Sequence, residues 1–208
     1  MADPYLKRNL SDIADGRAKV DVPSYLGSIR SSHDLILELF PLLRTLDKYK
    51  QTELLSFIRQ HSPLFCEVIL GLMKLEPSNL TVVQSSQYCA DAPGVRSRLL
   101  SLLQRPERGT RICALISLGR SSIPWEELES YLRDSDPAVR AATLEIAVER
   151  GISFDLEQVY SFFSDPSDAV LLAALSYARA RGLDLPEFVQ KRIRESRNPE
   201  IRLATVNR

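Results

Sequence analysis

Asp134-Ser135-Asp136-Pro137-Ala138-Val139-Arg140-Ala141-Ala142-Thr143-Leu144 places a turn, a helix start and a helix face of small residues within eleven positions. The pattern recurs. Leu115, Leu144, Leu175 and Val206 hold matching places at steps of 29, 31 and 31 residues, and four positions ahead of each stand Arg111, Arg140, Leu171 and Arg202. Repetition near that period indicates stacked helical units, each too small to bury its apolar face alone.

Working outward from this stretch, helix-period apolar patterns fall into pairs. The spacing predicts helices over 94–104 and 108–119, then from Pro124 and over 139–150, then over 156–163 and 169–181, with Gly151 and Gly182 as stops. Trp125, in the first turn after Pro124, is read as packing between repeats. A last pair opens at Asp184-Leu185-Pro186-Glu187, which has the spacing of a capping-box variant, and its second helix begins at Glu200. Upstream, Leu35, Leu39, Leu42 and Leu43 mark a helix that Pro41 should kink or restart. Lys48-Tyr49-Lys50 leads into a helix over 51–60, Ser62-Pro63 opens another that runs to Glu76, and 80–89 is its partner.

Residues 1–32 lack the repeat pattern. A short helix over 4–15 is expected, then turns through the glycine-, proline- and serine-containing segment to Ser32. The domain reading is a cap or lead-in arm over 1–32 and a helical repeat domain over 33–208. Ile201, Leu203, Ala204 and Val206 have the composition of an interior repeat, so the array is expected to continue or to be covered beyond residue 208.

Composition bounds the function. Twenty-seven basic and twenty-seven acidic side chains give zero net charge over 208 residues, and 44% of residues are hydrophobic. A folded chain without membrane insertion is expected, since no apolar run approaches the ~20 residues of a membrane span. The N-terminus has no apolar signal core. Phosphate contacts dominate nucleic-acid affinity, so the charge balance argues against a nucleic-acid partner. Cys66, Cys89 and Cys113 form no Cys-x-x-Cys pair and read as reduced core residues of a cytoplasmic protein. His33 and His61 form no metal-binding pair on one helix, and phosphate-loop and nucleophile-elbow motifs are absent. No cofactor, metal or catalytic residue is assigned.

The segments Arg111-Ile112-Cys113-Ala114-Leu115, Arg140-Ala141-Ala142-Thr143-Leu144, Leu171-Leu172-Ala173-Ala174-Leu175 and Arg202-Leu203-Ala204-Thr205-Val206 resemble HEAT repeats. The similarity is greatest to the short, phycobilisome-lyase type, and strongest over 94–208. An armadillo-like repeat is the alternative for the first pairs. The resemblance implies an all-α, right-handed superhelix of about six helix pairs, with second helices on the concave side. It implies a structural ladder through Arg111, Asp134, Asp136, Arg140, Asp165 and Arg202, broken at Leu171.

The expected function is non-enzymatic: a scaffold presenting that side to a partner protein or to another domain of its own chain. Helical phase selects Gln84, Gln87, Arg120, Glu145, Glu149, Ser176 and Arg179 as outward-pointing contacts. Two activities of similar proteins stand as alternatives, a bilin chromophore lyase and a DNA-binding or alkylpurine DNA glycosylase protein. The glycosylase needs a basic, aromatic groove, and the chain has one tryptophan and no net charge.

Overall fold

The computed structural model describes residues 4–17 and 22–204, and every regular element among them is helical. Contacts divide the chain into two compact units, Met1–Ser122 and Ile123–Arg208. The first contains α1 (Pro4–Ala14), α2 (Val22–Ser28), α3 (Ser32–Leu43), α4 (Lys48–His61), α5 (Phe65–Leu75), α6 (Leu80–Ser85), α7 (Pro93–Leu102) and α8 (Arg108–Gly119). The second contains α9 (Pro137–Glu149), α10 (Leu156–Phe163), α11 (Asp168–Arg181), α12 (Glu187–Glu195) and α13 (Pro199–Leu203).

In the first unit the helices pack in two rows. First members of the pairs, α3, α5 and α7, contact one another in turn, and so do the second members α4, α6 and α8. Small residues set the approach within a row. A Cβ on Gly71 would lie 2.3 Å from Ile36 Cδ1, and one on Gly94 would lie 2.8 Å from Leu70 Cδ2. The core is aliphatic, with Leu35, Leu39, Leu54, Val68, Ile69 and Leu115 sealed from solvent. Buried hydroxyls are satisfied by backbone, since Ser117 and Ser86 both donate to the Val83 carbonyl, at 3.0 and 2.6 Å. Within the 1–32 segment α1 lies against α3 and α4 through buried Leu6, Leu10 and Ile13.

Several local expectations are corrected. The segment expected to turn before Ser32 contains α2, because Val22 and Leu26 bury completely and Pro23 is tolerated in a first turn. Helix α3 continues through Pro41 without restarting; the proline sits in its last turn, and Leu35, Leu39 and Leu43 are buried on both sides of it. Lys48, Tyr49 and Lys50 belong to α4, because the Asp47 carboxylate accepts the Lys50 N–H at 2.9 Å and caps the helix there. Pro63 precedes α5, which begins at Phe65.

In the second unit α9 packs on α11, and α11 on α10 and α13. Leu144, Val159, Phe163, Leu171, Val189 and Ile201 share one core. The expected helix after Pro124 is instead two 3-10 turns, Trp125–Glu127 and Glu129–Arg133. Within the nine residues 125–133 only Leu128 is fully buried, too few contacts to hold a regular helix at this length. Trp125 packs edge-on to Phe154 at 6.0 Å, and Phe154 contacts Phe162 and Tyr177 at 5.1 and 5.2 Å. A capping box does occur, at Asp155 and Gln158 rather than at Asp184; α12 starts after Pro186 without a side-chain cap.

Helices α9 and α11 end alike. Gly151 and Gly182 adopt φ of +67° and +64°, and the next residues, Ile152 and Leu183, donate back to Ala147 and Ala178 at 2.9 Å each. The arginine before each glycine reaches back one repeat. Arg150 donates to the Ile123 carbonyl at 2.7 Å and Arg181 to the Ile152 carbonyl at 2.6 Å. A Cβ at Gly182 meets open space, so its cost is conformational. Gly182→Ala is expected to lower stability by about 1 kcal/mol, measured as a reduced urea midpoint with unchanged slope; an unchanged midpoint would refute this account of the stop.

Candidate functional site

The repeat arginines explain how the second helices are set. Each lies one turn into its helix and donates Nη1 to carbonyls of its own lead-in. Arg111 reaches Arg105 and Pro106 at 3.0 and 2.9 Å, Arg140 reaches Asp134 and Ser135 at 2.8 and 3.2 Å, and Arg202 reaches Ser196 at 2.7 Å. The acids beside Arg140 serve the same joint: Asp134 accepts the Asp136 N–H at 2.8 Å, and Asp136 caps the Ala138 N–H at 2.9 Å. These pairings use the charge and fork of arginine to fix the angle at which loop becomes helix.

Arg140 also crosses to the next repeat. Its Nε and Nη2 donate to the two oxygens of Asp165 at 2.9 and 3.0 Å, with the side chains only 17% and 14% exposed. Asp165 stands six residues before Leu171, as Asp134 stands before Arg140. At that repeat the position of the clasping arginine is filled by Leu171, which is wholly buried in the core, and the neighbour's guanidinium is bonded to the loop instead. Burial works against the Asp165 charge, but the Arg140 bonds, the Ser167 N–H and the charges of Arg140 and Arg192 together hold its carboxyl below the usual range.

The proposed contact residues fall on two surfaces, one in each unit. On the first unit Gln84 is exposed and Gln87 half-buried beside a groove between α4 and α6, and exposed Arg120 donates to the Gln87 amide oxygen. On the second unit Glu145, Ser176 and Arg179 line a groove of about 370 Å³ on α9, α11 and α13, together with Glu200, Leu172 and Leu203. Arg179 donates to the Ala204 carbonyl, and Glu149 is exposed at the end of α9. Burial raises the Glu145 carboxyl above its ordinary value, and the Glu149 charge adds to the rise.

Sequence phase missed two features of these grooves. Leu203, expected in the core with Ile201, is 63% exposed while Ile201 is sealed; the short α13 buries a single residue. Val206 lies outside the described residues. Arg59 and Tyr88 meet in the first groove, the guanidinium carbon 4.2 Å from the ring centre, a contact between helices that no local pattern announces.

Other reactive groups are structural in their surroundings. Cys89 is buried and Cys66 and Cys113 half-buried, all as free thiols. Burial raises the Cys89 thiol and a hydrogen bond with Cys66 raises it further; burial likewise raises Cys113. Among the described residues no group of three His, Cys, Asp or Glu is placed to hold a metal ion, and no helix is long and apolar enough to cross a membrane. No protein-family model, curated protein or solved structure matches the chain.

Three variants test this electrostatic account. Arg140→Met leaves the largely buried Asp165 without its fork and should cost about 2–3 kcal/mol at neutral pH. Because the folded Asp165 pKa is depressed, its contribution is complete above the unfolded value of about 3.9 and is lost as pH falls through the lower folded value. Asp165→Asn should therefore lose less stability than the parent between neutral and strongly acidic pH; equal losses in urea titrations would exclude the bridge as a source of acid sensitivity. On α9, Glu149→Gln should lower the Glu145 pKa towards the ordinary glutamate value, read from its side-chain carboxyl resonance in an NMR titration.

Proposed function

We propose that the chain is a HEAT-like helical-repeat scaffold of the short type, a right-handed α-α superhelix of about six helix pairs. Its row of second helices binds a partner protein or another part of its own full-length chain. What supports a binding surface is the combination of packing and exposure on those helices. Their inner faces are closed by Leu54, Ile58, Val82, Leu115, Leu144 and Leu171, while their outer faces carry the two grooves and the side chains Gln84, Glu145, Ser176 and Arg179. With the frame held by internal contacts and backbone clasps, the outer residues vary without loss of the fold, and rigid presentation keeps the ordering cost of binding low.

A photo-crosslinking amino acid placed singly at Gln84 or Ser176 should capture a discrete partner in the native cell. The same group at Leu37 or Leu156, exposed on first members of the pairs, should not. Equal capture from all four positions, or capture only from the latter two, would reject the second-helix surface as the site.

A further inference from the structure

The groove between α4 and α6 in the first unit has a chemistry that three grooves on the second unit lack. Its volume is about 180 Å³. Its floor is apolar, formed by Leu55 and Phe65, which are 1% and 5% exposed. Its rim carries the hydroxyls of Thr52, Ser56 and Thr81, the amides of Gln84 and Gln87, and Arg59 against Tyr88. No carboxylate lines it, whereas each of three grooves on the second unit has at least two: Asp168 with Glu195, Glu126 and Glu129 with Asp165, and Glu145 with Glu200.

Arg59 is the chemically uncommitted group. Most arginines of this protein described above are spent on carbonyls or acids of their own fold. The Arg59 guanidinium forms no ion pair or hydrogen bond with any described residue, and its one close partner is the Tyr88 ring at 4.2 Å. Tyr88 is 58% exposed, so the stack stands at the groove's edge. Stacking on an aromatic face orients the guanidinium and leaves its N–H edge for a planar anion. The Gln84 side chain, which makes no hydrogen bond with any described residue, adds an amide, and Arg120 on Gln87 adds a second positive charge to the same face.

We propose that this groove receives an acidic peptide segment. A partner Asp or Glu carboxylate pairs with Arg59, an adjacent apolar side chain rests on Leu55 and Phe65, and the peptide backbone bonds to the glutamine amides. This inference rests on the protein-binding reading above and adds the charge of the segment. The setting suits a peptide carboxylate rather than a nucleic acid, which needs several phosphate-neutralising cations along one track. Here two guanidiniums, Arg59 in the groove and Arg120 on Gln87, stand among neutral donors rather than along a track.

The test uses the full chain and two immobilised random-sequence peptide pools, one with Asp and Glu as its only charged residues, the other with Lys and Arg. The acidic pool should be retained, with retention falling as salt rises. Arg59→Ala and Tyr88→Ala should each weaken it about tenfold, while Arg59→Lys restores part and Glu157→Gln, at an exposed position of α10, changes nothing. Arg59 and Tyr88 are surface residues, and unchanged circular dichroism and melting would show the variants folded. Undiminished acidic binding in Arg59→Ala, preference for the basic pool, or displacement of the peptides by duplex DNA would each overturn the inference. Basic-pool binding abolished by Glu145→Gln would leave the scaffold reading standing with the opposite partner. Absence of binding to both pools sinks the acidic-segment inference alone if Gln84 still crosslinks a partner in cells, and both readings if it does not.

Discussion

A helix pair of about thirty residues cannot remove its own apolar face from water, and every other feature of this protein answers to that constraint. Leu144 on α9 is buried only because α11 lies against it, and Leu171 on α11 reaches the same core from the other side. The small residues follow from the same need. Ala141, Ala173 and Ala174 in the second unit, and Gly71 and Gly94 in the first, stand where helices approach. A Cβ at Gly71 or Gly94 would press on the Ile36 or Leu70 side chain of the neighbouring helix, which would have to shift.

Packing fixes which faces meet, while hydrogen bonding fixes the angle at the joints. Apolar contact alone tolerates sliding, and the arginines remove that freedom. Arg111, Arg140 and Arg202 tie helix to lead-in, Arg150 and Arg181 tie each helix end to the connection one repeat earlier, and Arg140 with Asp165 ties neighbouring loops. Such bonds satisfy carbonyls that helix ends and turns would otherwise leave to water. Arginine rather than lysine suits these joints because a planar fork can serve two carbonyls, or a carboxylate and a carbonyl, at once.

A frame satisfied internally leaves its outer side chains to other uses, and the two units use them differently. The second-helix surface of the second unit carries Glu145, Glu149 and Glu200, with half-buried Leu172 and exposed Leu203 among them. The α4–α6 groove of the first unit has Arg59 and no acid in its lining. Zero net charge over the chain thus conceals surfaces of opposite character, and a balance taken over the whole sequence says little about what either surface attracts.

Much of the fold was legible because helix patterns are local. The apolar period located most helices, Gly151 and Gly182 marked two ends, and the recurrence of Arg111, Arg140 and Arg202 marked equivalent joints. Where local signals competed, the sequence misled: Pro41 did not break α3, Asp184 did not cap α12, and Pro124 did not begin a regular helix, because burial of neighbouring residues, or its lack, decided each case. The surfaces were legible only as single outward positions. Helical phase selected Gln84, Glu145 and Ser176, since it is set by each segment alone. The juxtapositions that give those positions chemistry join residues far apart in the chain: Arg59 on Tyr88, Arg140 on Asp165, Glu145 beside Leu203. By itself the sequence determined that helix pairs form and repeat. Tertiary packing decided which side chains those pairs bring together, because a repeat specifies its neighbour's backbone closely and its neighbour's exposed side chains hardly at all.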